Sequence, residues 1–196
     1  MNPIGLARNI AVLLLAAGRG ERFGGGKLAA ILAGKPLVHH TADRLLAIPF
    51  SGHFAVIGPD TPPLPGYQSI LLDPPGAPQS RSLALGIAAV QTSGASAVLI
   101  ALADMPLVPG SHFEAMLAQF GGDRLASLGP DSVMPPALFG ARHFRALATL
   151  SGDRGAGSLL RDAPTVPLPD HTALDIDRPD DLIRAQAWLD QKTPPA

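Results

Sequence analysis

The chain has 196 residues, 46% of them hydrophobic, which suits one domain burying roughly 70% of its unfolded surface and leaves little for a second. Its 15 basic and 16 acidic residues are spread along the sequence to a net charge of -1, so no basic stripe offers itself to nucleic acid and any anionic ligand must be met locally. The absence of cysteine excludes disulfides, thiolate metal sites and cysteine nucleophiles.

In chain order, Ile10 to Ala16 is an unbroken Ile/Val/Leu/Ala run that ends toward glycine, the pattern of a strand buried on both faces of a parallel sheet. The apolar stretch stops at Ala17, far short of the ~18 residues that span a bilayer. Arg8 is the only charge before it, which does not make a secretion signal, so the expected location is the cytoplasm with no membrane partner. Pro36 opens a predicted helix carrying Leu37, Thr41, Leu45 and Ile48 at helical spacing until Pro49 stops it. Phe54 to Ile57 reads as the second strand, the Pro-rich run from Pro59 to Pro65 as a surface loop, and Ile70 to Leu72 as a short third strand. Ser80 or Ser82 can cap a helix with Leu83, Ile87 and Val90 on one face. Ala97 to Ala101 is a fourth buried strand, followed by a helix from about Ser111 to Phe120 and short strands near Leu125 and Leu138. Helices are expected around His143–Leu150 and Gly155–Arg161, and a last one from about Pro179 to Leu189.

Strands alternating with helices predict an α/β fold, three layers deep and Rossmann-like, with a mostly parallel central sheet and ligands beyond the carboxyl ends of its strands. Residues 1–191 form the expected domain, and Lys192 to Ala196 a flexible tail.

The segment Leu15 to Lys27 follows the first strand and carries five glycines with Arg22 and Lys27. Glycines let backbone N–H groups approach phosphate oxygens, while the two side chains add full positive charges, a combination suited to polyphosphate. A Walker A loop needs glycine at position 21 and Ser or Thr at 28, where the chain has Glu21 and Leu28. A dinucleotide fingerprint needs its third glycine where Phe23 stands. His39 and His40 are neighbours on one helix, point different ways, and read as surface or packing groups.

The string Leu15-Ala16-Ala17-Gly18-Arg19-Gly20-Glu21-Arg22-Phe23-Gly24-Gly25-Gly26-Lys27 resembles the first loop of the nucleotidyltransferases of the molybdenum-cofactor type. Its Ala-Ala-Gly form, with no aspartate before the lysine, is more similar to the cytidylyltransferases of that family than to the guanylyltransferases. The resemblance runs from about Ile10 to Leu189 and implies a nucleotidyltransferase fold, with Leu15, Ala16, Ala17, Gly18, Gly20, Arg22 and Lys27 at the nucleotide. Leu102-Ala103-Asp104-Met105-Pro106-Leu107 is similar to the family's L-A-D-x-P-L, whose aspartate binds Mg²⁺. By itself, a carboxylate closing a strand before proline is also a turn cap. Asp175-Ile176-Asp177-Arg178-Pro179 resembles D-I-D-T-P, which implies Asp177 as a second metal ligand, while Asp180 and Asp181 suit the first turn of a helix. Gln79-Ser80-Arg81-Ser82-Leu83 resembles the nucleotide-side segment, so Ser82 is both a possible cap and a contact to base or ribose.

On the acceptor side, the resemblance implies Pro136 in Met134-Pro135-Pro136-Ala137-Leu138-Phe139, and Gly152 and Asp153 in Leu150-Ser151-Gly152-Asp153-Arg154-Gly155-Ala156-Gly157, where Asp153 is equally a helix N-cap. Gly157 and Arg178 stand where the family has arginine and threonine. The implied reaction transfers CMP, or else GMP, from the triphosphate to molybdopterin or molybdenum cofactor with release of pyrophosphate. The resemblance also implies Mg²⁺, or Mn²⁺ in its place, with Arg22, Lys27 and Asp104 as the catalytic groups and a molybdoenzyme or its chaperone as a candidate receiver of the product. The competing readings are another phosphorylated acceptor (sugar phosphate, isoprenoid precursor or phospholactate) and a non-catalytic module for nucleotide binding and cofactor delivery.

Overall fold

The computed structural model describes residues 7–152 and 155–192. Nine strands are labelled in chain order: β1 Ile10–Ala16, β2 Ile31–Leu32, β3 Lys35–Pro36, β4 Gly52–Ile57, β5 Gln68–Leu71, β6 Ala97–Leu102, β7 Arg124–Leu128, β8 Val133–Gly140 and β9 Thr165–Pro167. The α-helices are α1 Leu37–Leu46, α2 Gln79–Thr92, α3 Gly110–Gln119, α4 Phe144–Ala148 and α5 Pro179–Lys192. Lys192 therefore closes a helix instead of starting a tail, and the remainder of that expected tail lies outside the described residues.

Seven strands form one sheet in the order β5-β4-β1-β6-β8-β7-β9. β1 pairs in parallel with β4 and β6, and β8 runs antiparallel between β6 and β7. The period of two along each strand divides its side chains between two cores. Val12 and Leu14 of β1 join Leu99 and Ala101 of β6 on the face covered by α1 and α3. Leu13 with Val98 and Ile100 lies on the opposite face, against Leu83, Ile87 and Val90 of α2 and Phe144 and Leu147 of α4. Helices thus cover both faces of a mostly parallel sheet, as the alternating pattern predicted.

Some local expectations are corrected. Helix α2 starts at Gln79 behind Pro78, and neither serine caps it; Ser80 and Ser82 are buried in its first turn. The stretch predicted as a helix from Gly155 to Arg161 contains only the 3₁₀ turn Ala156–Leu159. The β2–β3 hairpin was not anticipated, since its two-residue turn is Ala33-Gly34 with φ of 46° and 82°, and alanine gives no turn signal there. Gln186 of α5 accepts the Ala33 N–H at 2.7 Å. His40 is buried against the Leu32 carbonyl and His39 reaches that of Pro63, consistent with packing roles. Among the described residues no helix is long and apolar enough to cross a membrane.

Candidate active site

The chain leaves β1 toward β4 and β5 on one side, whereas β6 lies on the other, so the strand order reverses between β1 and β6. A crevice opens at such a reversal beyond the carboxyl ends of the strands. Leu15 and Leu102 are register partners there, so the loops after β1 and β6 rise side by side. Between them is a cleft of about 560 Å³, a volume suited to a nucleotide-sized ligand.

The loop after β1 folds on itself, with the N–H groups of Phe23 and Gly25 both donating to the Gly20 carbonyl. Gly20 has φ of 58°, and a Cβ there would lie 2.9 Å from the Lys27 Cβ, so both conformation and space require glycine. That approach carries Lys27 under the loop, where it is only 5% exposed. Its ammonium donates to Asp104 Oδ2 at 2.8 Å and to Asp177 Oδ1 at 3.3 Å. Burial would lower the Lys27 pKa, but Asp104 first, with Asp175 and Asp177, outweighs it and the net direction is upward. Lys27 is thus a buried cation held by carboxylates and not a solvated loop charge. Arg22 stays in solvent and reaches Asp177 Oδ2 at 3.2 Å.

The turn after β6 is fixed from several sides. The Ala103 N–H donates to Leu15 O, Thr41 of α1 donates to the Met105 carbonyl, and Arg44 of α1 to that of Pro106. The Ile176 N–H donates to the Asp104 carbonyl at 2.9 Å, which ties the segment before α5 to the same point. Ile176 is fully buried in the core, and its two neighbours Asp175 and Asp177 both line the cleft. Asp181 Oδ2 accepts the N–H groups of Asp177 and Arg178, so the capping role read for this carboxylate also steadies Asp177.

Asp104, Asp175 and Asp177 each offer a ligand atom, and these atoms lie within 4.8 Å of one another. Asp175 Oδ1 is shut away from solvent without a hydrogen-bond partner among the described residues. Burial first and then the Asp104 charge push the Asp175 carboxyl up to about 7. An oxygen-only donor set with one unsatisfied buried oxygen suits a hard divalent cation such as Mg²⁺ or Mn²⁺.

Of the residues singled out in the sequence, Leu15, Ala17, Gly18, Gly20, Arg22, Lys27, Ser82, Asp104 and Asp177 line this one cleft. Ala16 does not; its side chain is packed in the core. Pro136 is buried in β8, where its carbonyl accepts the Ser127 hydroxyl, and it does not border the cleft. Gly152 is not in the cleft lining either, its carbonyl accepting the Ser80 N–H at 3.4 Å, and Asp153 falls outside the described residues. Sequence reasoning missed Asp175 and Arg19. The alternation Asp175-Ile176-Asp177 around an apolar residue was a usable signal for the former.

Residues 12–168 match the family of MobA-like NTP transferase domains. The chain is 34% identical to a molybdenum cofactor guanylyltransferase of Cereibacter sphaeroides, over 90% of this chain and 95% of that protein. It is 28% identical to the purine catabolism protein PucB of Bacillus subtilis strain 168, over 76% and 79% of the two chains. The fold is similar to that of Rv0371c from Mycobacterium tuberculosis H37Rv, with a TM-score of 0.81 at 22% identity, covering 91% of this chain and 98% of that one. The same mycobacterial protein has also been solved in complex with manganese.

Proposed function

The chain is a nucleotidyltransferase of the MobA-like NTP transferase family, and from that premise we propose that it transfers CMP from CTP to a molybdopterin-type phosphorylated acceptor, releasing pyrophosphate. The observation that carries this reading is the meeting of Lys27, Asp104 and Asp177 in one cleft beside the glycine-rich loop, at the point where the strand order reverses. The acceptor's terminal phosphate attacks the α-phosphorus and pyrophosphate leaves. A phosphate with a second pKa near ~6 is already ionised at neutral pH, so the protein need supply no strong base. Its contribution is alignment and neutralisation of charge.

Asp104 and Asp177 would hold a divalent cation, Mg²⁺ or Mn²⁺, which when bound draws charge from the oxygens of the reacting phosphate. Arg22, Lys27 and the amides of the loop from Gly18 to Gly26 meet the β and γ oxygens. Ser82, at the start of α2, borders the sugar and base. Gly152 and Asp153 belong to the acceptor side in this reading, while Pro136, buried in β8, makes no direct contact there; the reading also includes delivery to a molybdoenzyme or its chaperone in the cytoplasm.

The cytosine preference rests on Ala16-Ala17-Gly18 and on Gly26 in place of an acidic residue before Lys27. A guanine preference is the second reading, favoured by the guanylyltransferase relative. Pyrophosphate release from CTP, GTP, ATP and UTP against a molybdopterin-loaded extract tests both. CTP is expected to give the highest rate; GTP ahead of CTP establishes the second reading, and release from none removes the transferase reading for this acceptor.

A further inference from the structure

Lys27 donates to two carboxylates of the cluster, Asp104 and Asp177, at 2.8 and 3.3 Å. Asp177 also receives Arg22 at 3.2 Å. The third carboxylate, Asp175, keeps an oxygen that is sealed from water and has no hydrogen-bond partner among the described residues. Leaving a buried acceptor unpaired is unfavourable, and in a cleft lined by two further carboxylates the free oxygen suits a cation that approaches it. The backbone holds this arrangement in place. Ile176 is anchored in the core and by its N–H to Asp104, so Asp175 and Asp177 reach the cleft from either side of a fixed residue.

A monovalent ammonium has three N–H donors and satisfies the carboxylates it can reach. A divalent cation accepts oxygen ligands in all directions and leaves no lone pair facing it unmatched. We infer that Asp175 is a third carboxylate ligand of the divalent cation in this cleft and that the cation takes the place of the Lys27 ammonium, which then turns to the triphosphate. The inference rests on the proposed metal-dependent reading of the cleft. It gives Lys27 two successive partners, the carboxylates before loading and phosphate oxygens afterwards.

The test is Mn²⁺ binding to the full chain without nucleotide, followed by the paramagnetic resonance signal of the free ion. Asp175→Asn is expected to weaken binding about tenfold or more, because ligand charge count sets affinity at oxygen sites. Lys27→Met is expected to tighten it, since the competing cation is gone. Melting with and without Mn²⁺ supplies a second readout: the ion should raise the melting temperature of the unmodified protein more than that of Asp175→Asn. Equal Mn²⁺ affinity in Asp175→Asn, an equal Mn²⁺-induced rise in its melting temperature, or no tightening in Lys27→Met each overturns the inference. Pyrophosphate release is measured separately. Its absence removes the transferase reading while the Mn²⁺ comparison stands by itself.

Discussion

Replacing Lys27 by methionine keeps the length and apolar volume of the stem and deletes only the ammonium. Breaking a fully buried ion pair from one side typically destabilises by about 3–5 kcal/mol, because the remaining charge is stranded. Here the lysine is 5% exposed, but its partners Asp104 and Asp177 are 22% and 45% exposed and regain water when it is lost. Solvent screening therefore reduces the expected loss to about 1–3 kcal/mol. For a domain of this size that corresponds to a fall in Tm of roughly 2–12 °C. The assay is thermal unfolding in EDTA, with Asp104→Asn as the second arm of a double-mutant cycle. The two substitutions share one interaction, so the double variant should lose less than the sum of the singles. A Lys27→Met protein that melts within about 1 °C of the unmodified chain, or losses that add, would mean that the ammonium does not hold the carboxylates together.

Asp104→Asn and Asp177→Asn should each lower turnover by on the order of 10² or more, and the double variant should lose little beyond the worse single, as expected of groups serving one ion; losses that multiply in steady-state kinetics would count against a shared site. Gly86 lies in α2 where an added Cβ would come within 2.5 Å of Leu13 Cδ1 and 3.0 Å of its Cγ. Gly86→Ala should therefore destabilise despite a helix-propensity gain of about 1 kcal/mol, since overpacking costs about 1–3 kcal/mol, and a rise in Tm would refute this packing argument. His112 is buried, which lowers its pKa, and its Nε2 lies 2.8 Å from Ser127 Oγ, whose hydroxyl reaches the Pro136 carbonyl at 2.8 Å. The unfolded chain takes up this proton below the ordinary value of 6.5 while the native state resists it. The stabilisation is thus complete above pH 6.5 and is lost as pH falls toward the depressed native value; His112→Gln should show a flatter stability profile across that window, and parallel profiles would exclude the histidine.

The sequence by itself determined most of the architecture. Ile10 to Ala16 and Ala97 to Ala101 are apolar on both faces, the pattern of central strands in a covered sheet, and the glycines after the first, with Arg22 and Lys27, suit a loop that meets phosphate although glycines alone mark only a loop. Asp104 and Asp177 were singled out as candidate ligands through their resemblance to family motifs, and the fold brings them together. The β2–β3 hairpin was not legible, because Ala33 adopts a left-handed turn that its residue type disfavours, beside a Gln186 side chain from a helix 153 positions away. The burial of Lys27 was equally hidden. A lysine in a glycine-rich loop is ordinarily solvated, and only the fold brings Asp104, 77 residues on, and Asp177, 150 residues on, to within hydrogen-bonding distance of its ammonium. The same closure leaves one oxygen of Asp175 without a partner, a property of three chain segments packed together that no single segment encodes.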